Sequence, residues 1–385
     1  MSKRRLIWIL SAFLFSTGSD VFSQERSPIP VFLSGDEGYR TYRIPAIIRL
    51  PDKTLMAFAE GRVNSSDDFG NIDIVMKTSR DQGKTWSPMK TIVDVDSLQA
   101  GNPAPVVDRM DPRFPRGRIF LFYNTGNQTE SEIRQGIGER KVWYITSADG
   151  GKTWDKPVNI SHEVMPDQHA WRSYANTPGH ALQVASGIFK GRLLIAANHS
   201  AGEPKIDFTD YSSHVFYTDD HGRHFHFSED VPIPGSNEAT ATDLSKNRIM
   251  LNARDQKGEL HMRIVAISSD GGSHWDTAYH EPQLPDPVCE GSILTIDRSK
   301  GHHKLAFCNA ANTDQRNDLT IRFSKDDGMT WPEKKQIDRG GVESDDPTAY
   351  SDIVLLDAGN IGVLYEKDGY ARIVFRSVSV RGSVK

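Results

Sequence analysis

A chain of 385 residues with 46 Lys+Arg against 51 Asp+Glu has a formal net charge of −5, so it carries no global field for nucleic acid, and no long basic run supplies a local one. A mean hydropathy of −0.51 excludes a multi-span membrane protein, and 25% charged with 37% hydrophobic residues is a globular composition rather than a disordered one. The 31 Gly and 20 Pro favour many turns and short strands.

The first element is Lys3-Arg4-Arg5 followed by an apolar stretch from Leu6 to Phe15. A basic flank, about ten apolar residues and then small and polar ones make a secretory signal peptide. The run is too short to span a bilayer, which takes about 20 residues. Val21-Phe22-Ser23 places cleavage near Ser23. Residues 1–23 are therefore expected to be removed, leaving residues 24–385 as one exported domain, periplasmic or secreted, with no stable membrane span.

Beyond the strand-like Val31-Phe32-Leu33, the chain repeats itself. The pattern Ser/Thr-x-Asp-x-Gly-x-Thr-Trp occurs at Ser79 to Trp86 and Ser147 to Trp154, in degenerate form at Thr218 to Phe225 and Ser268 to Trp275, and again in full at Ser324 to Trp331. This is turn chemistry: the Asp carboxylate bonds nearby N–H groups, the Gly takes a positive φ, and the closing aromatic packs the turn on a sheet. A second repeat shares the period. Apolar strands align at Leu55, Ile119, Leu193, Ile249, Leu305 and Ile361, and the first five each precede a turn motif. Six such units without a convincing amphipathic helix predict an all-β, six-bladed β-propeller, with Val31-Phe32-Leu33 completing the last blade. The apolar strands are expected to be innermost in their blades. Their C-terminal ends, carrying Glu60 and Arg62, Asn124, Asn198, Arg254, Asn309 and Glu366, should then meet at one mouth.

Cys289 and Cys308 lie in apolar strand-like contexts, and either two buried thiols or one bridge would suit them. The sequon at Asn127-Gln128-Thr129 matters only in a eukaryotic host. His221, His224 and His226 have metal-like spacing but sit inside a turn repeat, so a structural role is expected. No metal-ligand cluster, phosphate-binding Gly loop or Ser-His-Asp order stands out, and no cofactor is implied.

Arg43-Ile44-Pro45 ahead of five Ser/Thr-x-Asp-x-Gly repeats, with Arg254 in LNARD and Arg316 in QRNDLTIR, resembles the bacterial sialidase (neuraminidase) family, exo-α-sialidases with Asp-box repeats. The resemblance runs from Tyr39 to Phe375 and implies the same six-bladed fold. It also implies action on terminal sialic acids of glycoproteins, glycolipids or oligosaccharides. Such a substrate bears a carboxylate on its anomeric carbon, and guanidinium forks pair with carboxylates without losing their charge. By resemblance those forks are Arg43, Arg254 and Arg316. A carboxylate nucleophile would be repelled by the substrate's own charge, whereas a neutral phenol is not, and sialidases are the tyrosine exception among glycosidases. The resemblance makes Tyr350 that nucleophile and Glu238 its base.

The loop from Arg62 to Gly70 matches the family's acid loop, with Asp68 as the acid/base and Asp67 as a solvated neighbour. A general acid works best with a raised pKa, which closure over a bound sugar would supply. Arg62 is expected to contact the sugar's ring substituents and Glu366 to hold Arg43. Asn102 stands where many relatives have Asp, which puts the contacts to the N-acyl and ring-hydroxyl groups in doubt. Trp171 and Tyr174 could shape the aglycone side or simply pack a loop. Two alternatives share these residues: a trans-sialidase, including the intramolecular type with an anhydro product, and a non-catalytic sialic-acid-binding propeller.

Overall fold

Each turn repeat folds around its aspartate. Asp81 Oδ1 accepts the N–H groups of Lys84 and Thr85, both at 3.0 Å, and Thr85 Oγ1 donates to Oδ2 at 2.6 Å. The Ser79 hydroxyl donates to Asp81 and accepts the Gly83 N–H, each at 2.8 Å. Asp149 repeats this with Thr153, and Asp326 with Thr330. In the degenerate copies the imidazoles of His224 and His274 replace the threonine hydroxyl against Asp220 and Asp270. Gly83 has φ +84°, and a Cβ there would lie 2.1 Å from the Phe375 ring. The turn is wedged against a neighbouring sheet. Trp86 packs edge-on against Phe375, Trp154 against Phe58 and Phe225 against Phe122.

The computed structural model describes residues 27–165, 170–298, 301–340 and 347–380; the expected signal peptide, residues 1–23, lies outside them. Strands dominate, with two short helices at Glu130–Arg134 and Ser161–Val164. The class is all-β propeller, but the expectation of six blades is corrected. Among the described residues, four discrete blades of four or five strands are joined by one continuous eight-stranded sheet. That sheet takes in the first two sequence units, because Ile72 and Gln99 pair in parallel where the chain leaves one unit and enters the next. A repeat in sequence counts turn motifs. It does not register a hydrogen-bonded bridge between neighbouring units.

Around the axis, sheets touch mainly through their first strands, including Thr41–Arg49, Gln99–Asp108, Ser236–Asp243, Gly291–Asp297 and Ser351–Asp357. The strand Ile29–Leu33 pairs with Arg372–Ser379 and so completes the C-terminal blade with residues from the other end of the chain. The apolar strands are second in their sheets, not innermost. A second strand is hydrogen-bonded on both edges and covered by sheets on both faces, which makes it the most enclosed position and calls for an unbroken apolar run. Leu55–Arg62 is buried at every residue. The core accordingly lies between sheets: Phe58 with Leu121, Phe120 with Leu193, and Ile321 with Val363 share clusters.

Antiparallel pairing still delivers the polar ends to one place. Arg43 opposes Glu60, Thr41 opposes Arg62, Ser236 opposes Asp255 and Ser351 opposes Tyr365. The starts of first strands thus meet the ends of second strands at one end of the axis.

Candidate functional site

Tyr350 precedes the strand Ser351–Asp357, and Glu238 lies near the start of Ser236–Asp243. The Tyr350 hydroxyl sits 2.7 Å from both carboxylate oxygens of Glu238. Arg254, near the end of the neighbouring second strand, donates to Glu238 at 2.7 Å and to the Tyr350 oxygen at 3.1 Å. Burial and then the Glu238 charge push the Tyr350 pKa well above its ordinary value, with Arg254 and Arg316 opposing. The phenol is therefore neutral at rest, with a carboxylate in place to take its proton.

Two more guanidiniums face the same ring. Arg43 and Arg316 stand 5.6 and 5.7 Å from the Tyr350 ring centroid. Glu366, wholly buried, receives Arg43 Nε at 2.7 Å and Nη2 at 3.3 Å. It also accepts the backbone N–H of Ile44 at 2.9 Å and of Tyr350 at 3.2 Å. One carboxylate thereby sets the position of both an arginine and the tyrosine backbone. Arg316 donates to the Val288 carbonyl at 3.0 Å. Burial works against the charge on Arg43, Arg254 and Arg316, yet their partners raise all three pKa values. Three permanent cations around a neutral phenol make a site for an anion.

Arg62 lies at the rim of this cluster. It pairs with Glu60 at 2.7 Å and with Asp68 at 2.8 Å. The Asp68 side chain is 82% exposed. Desolvation opposes its charge, but Arg62, Arg43 and Arg316 outweigh that and hold the carboxyl below the usual carboxylate range. Without substrate Asp68 is thus an ionised group at the edge of the cleft. Asp67 instead bonds locally to Ser65.

All eight expected residues, Tyr350, Glu238, Asp68, Arg43, Arg254, Arg316, Arg62 and Glu366, fall in this one connected cluster. Three neighbours join the cluster: Glu60, which the repeat placed at this mouth without a role, and Tyr370 and Asn176, which carried no signal in the repeats. Glu60 braces Arg62 and accepts the Asn102 N–H at 2.9 Å. Tyr370, at φ +64°, lies with its ring 4.0 Å from the Arg43 guanidinium and bonds Arg316. Asn176 donates to the Asn102 carbonyl at 2.6 Å and Asn102 returns a bond to Asn176 at 3.0 Å. Asn102 is therefore tied to the cluster through Glu60.

Trp171 and Tyr174 pack instead of facing open solvent: Trp171 stacks on His199 at 3.6 Å, and Tyr174 reaches His214 at 3.1 Å. His221, His224 and His226 do not converge, since His221 bonds Asp108 and His224 bonds Asp220. Among the described residues, His199, His214 and Asp230, and separately Asp108, Asp111 and His221, lie close enough to share an ion. Arg113 and donors from Met110, Asp111 and Gln183 already occupy much of the second group. Cys289 and Cys308 are free and buried, which decides between the two readings, and burial pushes both thiols up to about 12.

Fold and site together define an all-β propeller with an anion-recognising cleft at one end of its axis. Residues 53–363 match the family model described as a BNR repeat-like domain. A sialidase of Micromonospora viridifaciens is 33% identical over 352 residues, covering 87% of this chain and 51% of that protein. The chain thus spans about half the length of that relative. Among solved structures, a Hadza microbial sialidase superposes with a TM-score of 0.80 at 26% identity, covering 94% of this chain and 70% of that one. An intramolecular trans-sialidase from Ruminococcus gnavus superposes with a TM-score of 0.74 at 15% identity over 92% of this chain and 97% of that one, a likeness of fold alone. The chain belongs to the family of BNR repeat-like domains and is similar to these sialidases.

Proposed function

We propose that the protein is an exo-α-sialidase that hydrolyses terminal sialic acids with retention. The observation that carries this is the Tyr350 hydroxyl at 2.7 Å from both oxygens of Glu238, inside a ring of three arginines. Arg43, Arg254 and Arg316 bind the substrate carboxylate. Tyr350 Oη attacks the anomeric carbon as its proton passes to Glu238, and the glycosidic C–O bond breaks. Asp68 gives a proton to the departing oxygen, then takes one from the water that attacks the anomeric carbon, while the Tyr350 oxygen leaves and recovers its proton from Glu238. Asp68 must be protonated to give that first proton. Binding favours this in two ways: the substrate carboxylate shares the Arg43 and Arg316 charges that lower its pKa, and the sugar displaces water around it.

Tyr350→Phe is the decisive test. Turnover of a fluorogenic sialoside should fall by about 10³-fold or more, while an unsaturated sialic acid analogue still binds. Hydrolysis near the wild-type rate would sink the tyrosyl mechanism. A transfer reaction would use the same residues, and NMR of the released sugar separates free sialic acid from an anhydro product. Sialylated glycoproteins, glycolipids or oligosaccharides are the substrates we infer, because three arginines around Tyr350 suit the carboxylate of an anionic terminal sugar.

Export follows from the basic and apolar N-terminal run. N-terminal sequencing of protein expressed from the full gene should begin just after Ser23; retention of Met1 in a cytosolic fraction would refute it.

A further inference from the structure

A second cavity, of ≈ 310 Å³, opens elsewhere on the axis, lined in part by Ile47, Arg49, Val106, Arg109, Leu294 and Val354. None of the residues around Tyr350 lines it. Arg49 ends the strand that carries Arg43 near its start, so at about 3.3 Å per residue the two arginines are roughly 20 Å apart. Wholly buried Asp352 bonds across the axis between the two ends. It accepts the N–H of Ile47 at 2.7 Å and of His180 at 2.9 Å, and holds His180 Nδ1 at 2.6 Å.

The charges at this far mouth are unbalanced. Arg298, which also lines it, is already paired with Asp243 at 2.5 Å. Arg49 and Arg109 form no ion pair among the described residues, and Arg109 spends one N–H on the Arg49 carbonyl at 2.6 Å. The guanidiniums of Arg62, Arg134, Arg192 and Arg263, by contrast, each have a carboxylate partner. Arg109 is exposed at this mouth, and partial desolvation and the neighbouring Arg49 charge lower its pKa. Side by side at an apolar mouth, the two guanidiniums repel one another and offer paired N–H forks to an anion, and among the described residues no carboxylate takes that place.

We propose that this mouth is a second binding site, distinct from the cleft at Tyr350, for a small amphiphilic anion. A carboxylate, sulfonate or phosphate head lies between Arg49 and Arg109, and an apolar body lies against Ile47, Val106, Leu294 and Val354. The site does not depend on the sialidase reading, since none of its residues takes part in that chemistry.

The test titrates the full chain with 8-anilinonaphthalene-1-sulfonate, which brightens when its rings leave water. One molecule should bind per chain, at least tenfold more tightly than the uncharged N-phenyl-1-naphthylamine, and a saturating sialic acid analogue should not displace it. Arg49→Gln/Arg109→Gln should weaken the sulfonate at least tenfold and leave the neutral amine unchanged. The single variant Arg109→Gln, should the double variant fold poorly, should show the same direction. Equal affinity for sulfonate and neutral amine, or unchanged sulfonate affinity in a folded variant, overturns the proposal. Competition with 1-naphthoate and 1-naphthyl phosphate identifies the preferred head group by the tighter competitor; displacement by neither also overturns it. Sialoside hydrolysis, assayed separately, tests the other cleft alone.

Discussion

The phenol of Tyr350 is a weak nucleophile at rest, since burial and Glu238 disfavour its ionised form. That state is useful if the anion forms only as the sugar bond forms, because the proton then passes to Glu238 as the charge develops, with the nearby arginines offsetting that charge. Asp68 poses the opposite problem: its guanidinium neighbours favour the base form, whereas the proposed first step needs the acid. If Asp68 protonates the leaving oxygen, Asp68→Asn should slow hydrolysis of a sialyl-sugar linkage by about 10²–10⁴-fold. An aryl sialoside, whose phenol leaves with little help, should be slowed much less. Equal losses on both substrates would remove Asp68 from the acid role. The family resemblance made the anion-binding residues readable, and chemistry then gave each a reason: arginines suit a carboxylate, and a tyrosine paired with a glutamate suits a neutral nucleophile. Tyr370 and Asn176 were not readable, because each matters only through partners distant in sequence; Glu60 was read at the end of its apolar strand, but not its simultaneous hold on Arg62 and Asn102.

The Asp-box turns are the elements in which local chemistry and long-range packing coincide. Their hydrogen bonds span at most four residues, which is why the pattern was legible one copy at a time. Their purpose was not. Gly83 abuts Phe375 of the C-terminal blade, and Gly222 abuts Phe120 of the preceding unit, so a local turn also clamps two sheets. Gly35 has φ +87° with nothing within 4 Å of its missing Cβ, which isolates backbone strain from packing. Gly83→Ala should therefore cost about 1–3 kcal/mol more than Gly35→Ala, a further fall of a few degrees in Tm. Equal Tm losses for the two variants would show that the turn does not wedge the sheets.

At the scale of the whole molecule, the turns link stability to pH. The Thr85 hydroxyl and N–H hold Asp81 at about 2. At Asp220 and Asp270 burial pulls upward, but the imidazoles and N–H groups of His224 and His274 bring them to about 2 as well. A carboxylate with a depressed folded pKa contributes stability above its unfolded pKa of about 4, and loses it as pH falls toward 2. Tm should vary little between pH 7 and 5 and drop below pH 4. The Tm gap between wild type and Asp81→Asn should close over the same interval; a gap that stays constant to pH 2 would contradict this linkage.

The sequence by itself determined what depends on neighbours along the chain: the turn motifs, the strand-rich class and the apolar setting of the two cysteines; the residues suited to an acidic sugar were legible only through the family resemblance. Only the tertiary structure decided the rest. It joined two sequence units into one eight-stranded sheet through the pair Ile72 and Gln99, and it placed the apolar strands second in their sheets. It also left Arg49 and Arg109 without an ion pair among the described residues at the far mouth. The physical reason is common to all three: sheet pairing, burial and charge balance are set by groups distant in sequence, and no pattern of nearby residues records which of them meet.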